Sequence, residues 1–156
     1  MKYIEMGSLV RAFRDAASPA AGATVQDRAP GGADSPAGVI ARIRRGMPME
    51  EFQALAAWLD VPDESLAVLL GISRATLHRR RKNGHLESPE SERIVRFARL
   101  LGRATEVFEE EEAAREWLKS PAVAFGGESP LSFADTEVGA REVEALLGRL
   151  EHGVFS

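Results

Sequence analysis

Residues 63–84 read DESLAVLLGISRATLHRRRKNG, and this stretch decides the fold. The pattern is that of a helix-turn-helix. Apolar spacing predicts a first helix over Asp63–Leu70. Gly71 makes the turn, because a residue without a Cβ tolerates the backbone angles that end a helix abruptly. Ser73 is expected to cap the second helix, its hydroxyl accepting from a backbone N–H one turn in. Leu66, Leu70, Ile72 and Leu77 are spaced to meet between the helices, and Ala67 is small where they approach most closely.

The second helix carries His78, Arg79, Arg80, Arg81 and Lys82. With Leu77 inward, steps of about 100° per residue turn Ala75, Arg79 and Lys82 away from the core. Thr76 and His78 fall on the flanks, and Arg74 stands at the helix start. This is the geometry by which a helix enters the DNA major groove. Arg74 and Arg79 are candidates for base edges, since a guanidinium can hold guanine O6 and N7 bidentately. Lys82 and Arg81 suit phosphates, which position without reading sequence. The expected DNA surface is Ser73, Arg74, Ala75, Thr76, His78, Arg79, Arg81 and Lys82. Arg80 falls near the buried side, so a carboxylate partner on a neighbouring helix is expected for it. The competing explanation for the basic run is a solvated helix end favoured by the helix dipole.

Working outward, 156 residues allow one domain of ordinary size or two small ones sharing a core. The chain is 44% hydrophobic but only 6% aromatic, so the core is aliphatic. There are no cysteines, which removes disulfides and thiolate metal sites, and the three histidines, at 78, 85 and 152, have no metal-site spacing. No apolar run has the length of a membrane span, and MKYIEMGSL has no signal-peptide apolar region, so a cytoplasmic location is expected. The net charge of −4 is unevenly divided: residues 1–38 are neutral, 39–104 carry +4 and 105–156 carry −8. The middle can attract phosphate, and the end suits another partner.

Residues 1–17 carry Ile4, Leu9, Val10 and Phe13 roughly on one side of a short helix. Residues 18–38 are rich in Ala, Gly and Pro and are expected, with what precedes them, to form a flexible arm or linker. A helical pattern starts at Ala37, with Val39, Ile40 and Ile43 on one side, and stops at Gly46. Pro48 is expected in the first turn of the next helix, with a stripe of Phe52, Leu55, Ala56 and Leu59 and the bulk of Trp58. Ser88-Pro89 signals another start, followed by Ile94, Val95, Phe97, Ala98 and Leu101, with Arg93, Arg96, Arg99 and Arg103 on the other side. Gly102 weakens that helix without ending it. Glu109–Glu112 is expected to begin a helix carrying Trp117 and Leu118. Ser129-Pro130 opens a short helix, and Thr136 caps a last one, Glu137 to about His152, stopped by Gly153. Val154 and Phe155 then form an apolar tail, which either folds back on the core or packs on a partner. An all-α chain follows: an N-terminal helix-turn-helix bundle over 39–104 and a small helical domain over 105–156.

Residues 40–48 (IARIRRGMP), 69–100 (LLGISRATLHRRRKNGHLESPESERIVRFARL) and 114–156 (AREWLKSPAVAFGGESPLSFADTEVGAREVEALLGRLEHGVFS) together make a family pattern. The chain resembles the Xre-type antitoxins of RES–Xre toxin–antitoxin pairs, the MbcA/ParS/Xre class. The last block is the most specific; one departure is Ala122, where the family often has asparagine. Residues 1–38 lie outside the resemblance. The resemblance implies an N-terminal DNA-binding part, a C-terminal toxin-binding part, a cognate RES-domain toxin that degrades NAD, and an antitoxin end that enters the toxin's active-site cleft. The resemblance also implies a toxin-binding set of Trp117, Arg141, Arg149, Glu151, His152, Gly153, Val154, Phe155 and Ser156. With the charge division and the helix-turn-helix, the leading expectation is an antitoxin that also represses its own operon, binding operator DNA as a homodimer or within a larger complex. No cofactor is implied.

Two other functions compete. A stand-alone helix-turn-helix repressor would use the C-terminal part for dimerisation only. An enzyme would need paired carboxylates among Glu137, Glu142, Glu144 and Glu151, or His152 as a base. Helical spacing explains those residues more simply, and the chain lacks a Gly-rich phosphate loop or a nucleophile setting, so no catalysis is expected.

Overall fold

A computed structural model describes residues 8–17 and 35–153. Among them the elements are all helical: α1 (Ser8–Ala17), α2 (Pro36–Arg45), α3 (Met49–Leu59), α4 (Asp63–Leu69), α5 (Arg74–Asn83), α6 (Ser88–Phe108), α7 (Glu111–Lys119), a 3-10 turn (Val123–Phe125), α8 (Pro130–Phe133) and α9 (Glu137–Glu151). The all-α expectation holds. Ile4, residues 18–34 and the tail 154–156 lie outside the described residues.

The body is assembled around α6, which packs against α1, α2, α3, α7 and α9. This helix is buried on several sides because its apolar residues exceed a single stripe: Ile94, Phe97, Ala98, Leu100, Leu101 and Ala104 are all sealed from solvent. From α3 come Phe52, Leu55, Trp58 and Leu59, and from α9 Ala140, Val143 and Leu147. Gly102 does not interrupt α6. A Cβ there would sit 3.6 Å from the Phe13 carbonyl oxygen and 3.7 Å from the Ala17 Cβ, ordinary packing distances, so Gly102 faces α1 without being demanded by it.

Residues 8–17 are thus part of the packed body and not an arm in front of it. Leu9, Val10 and Ala17 are buried. The N-terminus of α1 is held by Glu51, a fully buried carboxylate that accepts the N–H groups of Leu9 and Val10, each at 2.9 Å. Arg42 lies 3.3 Å from the same carboxylate. Orphan N–H groups at a helix start need an acceptor, and an acid also suits the positive end of the dipole.

Several local signals shift by a residue or two. α2 starts at Pro36, with Ser35 as its cap, so 36–38 are helical rather than linker. Pro48 precedes α3 as its N-cap instead of lying in its first turn. Glu87, not Ser88, is the N-cap of α6; its N–H donates to the Glu90 carboxylate at 2.9 Å, and Ser88 becomes the first helical residue. Glu109 ends α6 in a left-handed conformation (φ 63°), so α7 begins at Glu111. Ser129 and Thr136 cap α8 and α9 as expected, accepting from Ser132 and Gly139 N–H.

Candidate functional site

The helix-turn-helix is built from α4 and α5. Leu66, Leu70, Ile72, Leu77 and Ala67 are all buried, as their spacing predicts, and α4 packs against both α5 and α3. Gly71 adopts φ 69°, the turn geometry that glycine permits. The Arg93 guanidinium donates to the Leu70 carbonyl at 2.7 Å, satisfying an orphan acceptor at the end of α4 and tying the turn to α6. Ser73 caps α5, accepting from the Thr76 N–H at 3.1 Å.

On α5 the outward set is Arg74, Ala75, His78, Arg79, Arg81 and Lys82, all exposed, with Thr76 half-buried and Ser73 exposed at the cap. The five cations of α5 divide into two groups. Arg80 is turned inward: its Nε donates to Glu90 at 2.8 Å and its Nη2 lies 3.2 Å from Glu87. That is the partner on a neighbouring helix that its register called for. Burial pushes the Glu90 carboxyl up, but the Arg80 guanidinium, the Glu87 N–H and the charges of Arg80 and Arg93 more than offset this and hold it below its usual value. Arg81 reaches back to α4, 3.0 Å from Asp63 and 3.3 Å from Glu64. The Glu64 carboxyl is held down first by its own backbone N–H and then by Arg81. Arg74, Arg79 and Lys82 make no salt bridge among the described residues, although the charge of Arg74 also helps to hold the Glu64 carboxyl down. The Arg79 Nη2 donates instead to the Thr76 hydroxyl at 3.1 Å, which in turn accepts from Ser73 at 2.9 Å.

The C-terminal half is held to α6 by charge as well as by apolar packing. Arg96, Arg99 and Arg103 lie on one side of α6. Facing them on α9, Glu137, Glu144 and Glu151 recur every two turns. Arg96 contacts Glu137 at 3.3 Å, Arg99 contacts Glu144 at 2.8 Å, and Arg103 pairs with Glu151. Of the four arginines expected opposite the apolar residues of α6, Arg93 ties the Gly71 turn, whereas Arg96, Arg99 and Arg103 form the seam with α9, and Arg96 is buried. The Arg103 guanidinium holds the Glu151 carboxyl below its usual value. α8 meets α9 at Gly139, where a Cβ would collide with the Phe133 carbonyl. Phe125 and Phe133 stack beneath, ring centroids 4.6 Å apart.

These two halves correspond to known sequence families. Residues 38–99 match the antitoxin Xre-like helix-turn-helix domain, and residues 103–153 match the antitoxin Xre/MbcA/ParS C-terminal toxin-binding domain. The chain belongs to the Xre/MbcA/ParS antitoxin family. It is 37% identical over 120 residues to an antitoxin Xre of Yersinia enterocolitica, covering 76% of this chain and 81% of that one. Similarity to an antitoxin Xre of Photorhabdus laumondii is 32% over 116 residues, covering 73% and 78%. A Prs ADP-ribosylating antitoxin of Sphingobium is 27% identical over 132 residues, covering 78% and 83%. The two matched regions of this antitoxin meet within α6.

Within the toxin-binding domain, Trp117 is half-buried against Phe108, ring centroids 5.6 Å apart. Arg141 is exposed, 3.8 Å from Glu137. The last turn of α9 brings Arg149, Glu151 and His152 to the surface together, and Gly153 follows at φ 69°. Val154, Phe155 and Ser156 lie outside the described residues. Among the described residues no group of His, Cys, Asp and Glu side chains gathers as a metal site, and no helix is long and apolar enough to cross a membrane. Sequence reasoning missed Glu51. Its signal was there: it shares a helical face with Leu55 and Trp58, where a carboxylate has no business unless something buried needs it. The seven-residue recurrence of Glu137, Glu144 and Glu151 opposite three arginines was the signal for the seam.

Proposed function

We propose that this antitoxin neutralises a cognate RES-domain, NAD-degrading toxin by inserting its C-terminal end into the toxin's active-site cleft, and that it represses its own operon in the cytoplasm by binding operator DNA as a homodimer or within the toxin–antitoxin complex. The division of labour follows the charge: residues 39–104 for DNA and 105–156 for the toxin. The match of residues 103–153 to a toxin-binding domain carries the first half of this reading. The exposed Arg149, Glu151 and His152 support it, because they stand at the start of the proposed blocking element. Val154 and Phe155 supply its apolar anchor, the usual source of interface energy. For DNA, the support is α5, with Arg74, Arg79 and Lys82 exposed and in no salt bridge among the described residues.

The test is co-expression with the protein of the adjacent gene, scoring growth and cellular NAD. The full chain should restore both, and deletion of Gly153–Ser156 should abolish rescue while leaving DNA binding intact. Full protection by the truncated chain refutes occlusion by the tail.

The Sphingobium relative supports a second toxin chemistry, transfer of ADP-ribose from NAD to a protein. The product separates the two. Hydrolysis leaves free ADP-ribose, whereas transfer leaves ADP-ribose covalently on a cellular protein. Both toxins release nicotinamide, so the modified protein, not NAD loss, decides.

A further inference from the structure

Paired and free positive charges are not spread evenly over the surface. Arg80, Arg81, Arg96, Arg99 and Arg103 each have a carboxylate partner. Arg44 and Arg45, at the end of α2, are exposed and have none among the described residues. They lie within the matched helix-turn-helix domain, but far in sequence from α5 and outside the DNA surface expected over Ser73–Lys82.

The backbone brings them to it. After Arg45, Gly46 turns the chain at φ 84°, and a Cβ there would collide with the Leu86 carbonyl. Leu86 N–H donates to Met47 O at 2.8 Å, and Met49 N–H donates to Gly84 O at 2.9 Å, around an antiparallel bridge between Pro48 and His85. Met47 N–H is fixed in addition by the Ser91 hydroxyl of α6, at 2.9 Å. The segment after α2 and the segment after α5 are therefore stitched together and cannot drift apart without breaking the bridge. His85 is itself in the bridge and Lys82 stands just before it on the α5 segment, while Arg44 and Arg45 stand just before Pro48 on the α2 segment; all four are exposed.

We propose that Arg44 and Arg45, with Lys82 and His85 across the bridge, form a phosphate-binding edge that grips the DNA backbone beside the groove entered by α5. The edge rests on the DNA-binding reading given above. Its partner is a run of phosphodiesters, because the edge continues the free cations of α5 and offers no arrangement for reading bases. Residues 105–156, by contrast, carry −8 and would repel a polyanion. The seam of the bridge also explains why the α2 terminus is held rigidly: cations that position a duplex must keep their distance from the helix that reads it.

The experiment is a salt titration of the full chain on two fluorescent duplexes, one from its own promoter region and one of scrambled sequence. Each phosphate contact contributes about 0.9 to the slope of log K against log salt. Arg44→Gln with Arg45→Gln should lower the slope by about 1.8 and weaken both duplexes alike, by on the order of tenfold to a hundredfold at 0.1 M salt. Arg44→Lys with Arg45→Lys keeps the charges and should retain most of the slope. Lys119→Gln removes a distant exposed cation and should match the parent. An unchanged slope in the double Gln variant with its thermal melt intact overturns the edge. So does a loss confined to the promoter duplex, or a loss of toxin neutralisation with DNA binding preserved, which would make this a protein contact. Failure of the parent chain to bind either duplex overturns the DNA-binding reading, and the edge with it.

Discussion

Replacing Arg80 by Met tests what holds α5 in place. Methionine keeps the apolar stem and removes the guanidinium. What remains is Glu90, an acid only 10% exposed in its side chain, which loses contacts at 2.8 and 3.2 Å and keeps the Glu87 N–H at 2.9 Å. Removing one partner of a buried pair costs about 3–5 kcal/mol. Arg80 retains 12% side-chain exposure and Glu90 keeps one donor, so the cost here falls below that range, at about 2–3 kcal/mol. Adding Glu90→Gln removes the stranded charge but keeps an acceptor for the Glu87 N–H, and should recover about 1 kcal/mol or more. The assay is urea unfolding followed by the fluorescence of Trp58 and Trp117. The pair also has a pH signature. The folded-state pKa of Glu90 is depressed below its ordinary 4.5, so its contribution is fully present above that value and is lost as pH falls through the lower folded value. The penalty of Arg80→Met should therefore shrink in acid. A cost near that of an exposed pair, under about 0.5 kcal/mol at pH 7, or no recovery in the double variant, refutes the reasoning.

Three further outcomes are expected. Glu51→Gln leaves one oxygen where two backbone N–H groups need acceptors; it should cost about 2–3 kcal/mol and speed hydrogen exchange of the Leu9 and Val10 amides while α6 amides stay protected, and retained protection of α1 would contradict that anchoring. Gly139→Ala drives a Cβ into the Phe133 carbonyl, so a loss of about 1–3 kcal/mol is expected by thermal melt, with weakened neutralisation and DNA binding retained; an unchanged melt would mean that α8 and α9 separate freely. Arg79→Ala should cost on the order of tenfold to a hundredfold in promoter binding, read by gel shift against a scrambled duplex, and spare neutralisation; equal loss on both duplexes would make Arg79 a phosphate contact.

What could be read in the chain was what neighbouring residues decide among themselves. Gly71, the Ser73 cap and the spacing of Leu66, Leu70, Ile72 and Leu77 placed the helix-turn-helix because capping and helical period act within one or two turns. The same short range made Ser129 and Thr136 legible as caps, and it made Ser88 misleading, since Glu87 and Ser88 are adjacent competitors and the winner is the one whose N–H meets Glu90. Family likeness, with its toxin-binding block, was likewise carried by contiguous residues. Of the charge pairs, only the need of Arg80 for a carboxylate was legible, from its inward register. A helical period says which side Arg96, Arg99 and Arg103 occupy, but only the docking of α9 makes that side a seam with Glu137, Glu144 and Glu151. Glu51 is a solvated acid until α1 brings two N–H groups to it, across 41 and 42 residues of chain. The end of α2 lies beside the end of α5 only because the Pro48–His85 bridge closes. Long charged side chains find their partners after the apolar faces have docked. That docking, which no local pattern encodes, decided which cations are spent inside the protein and which are left for a partner.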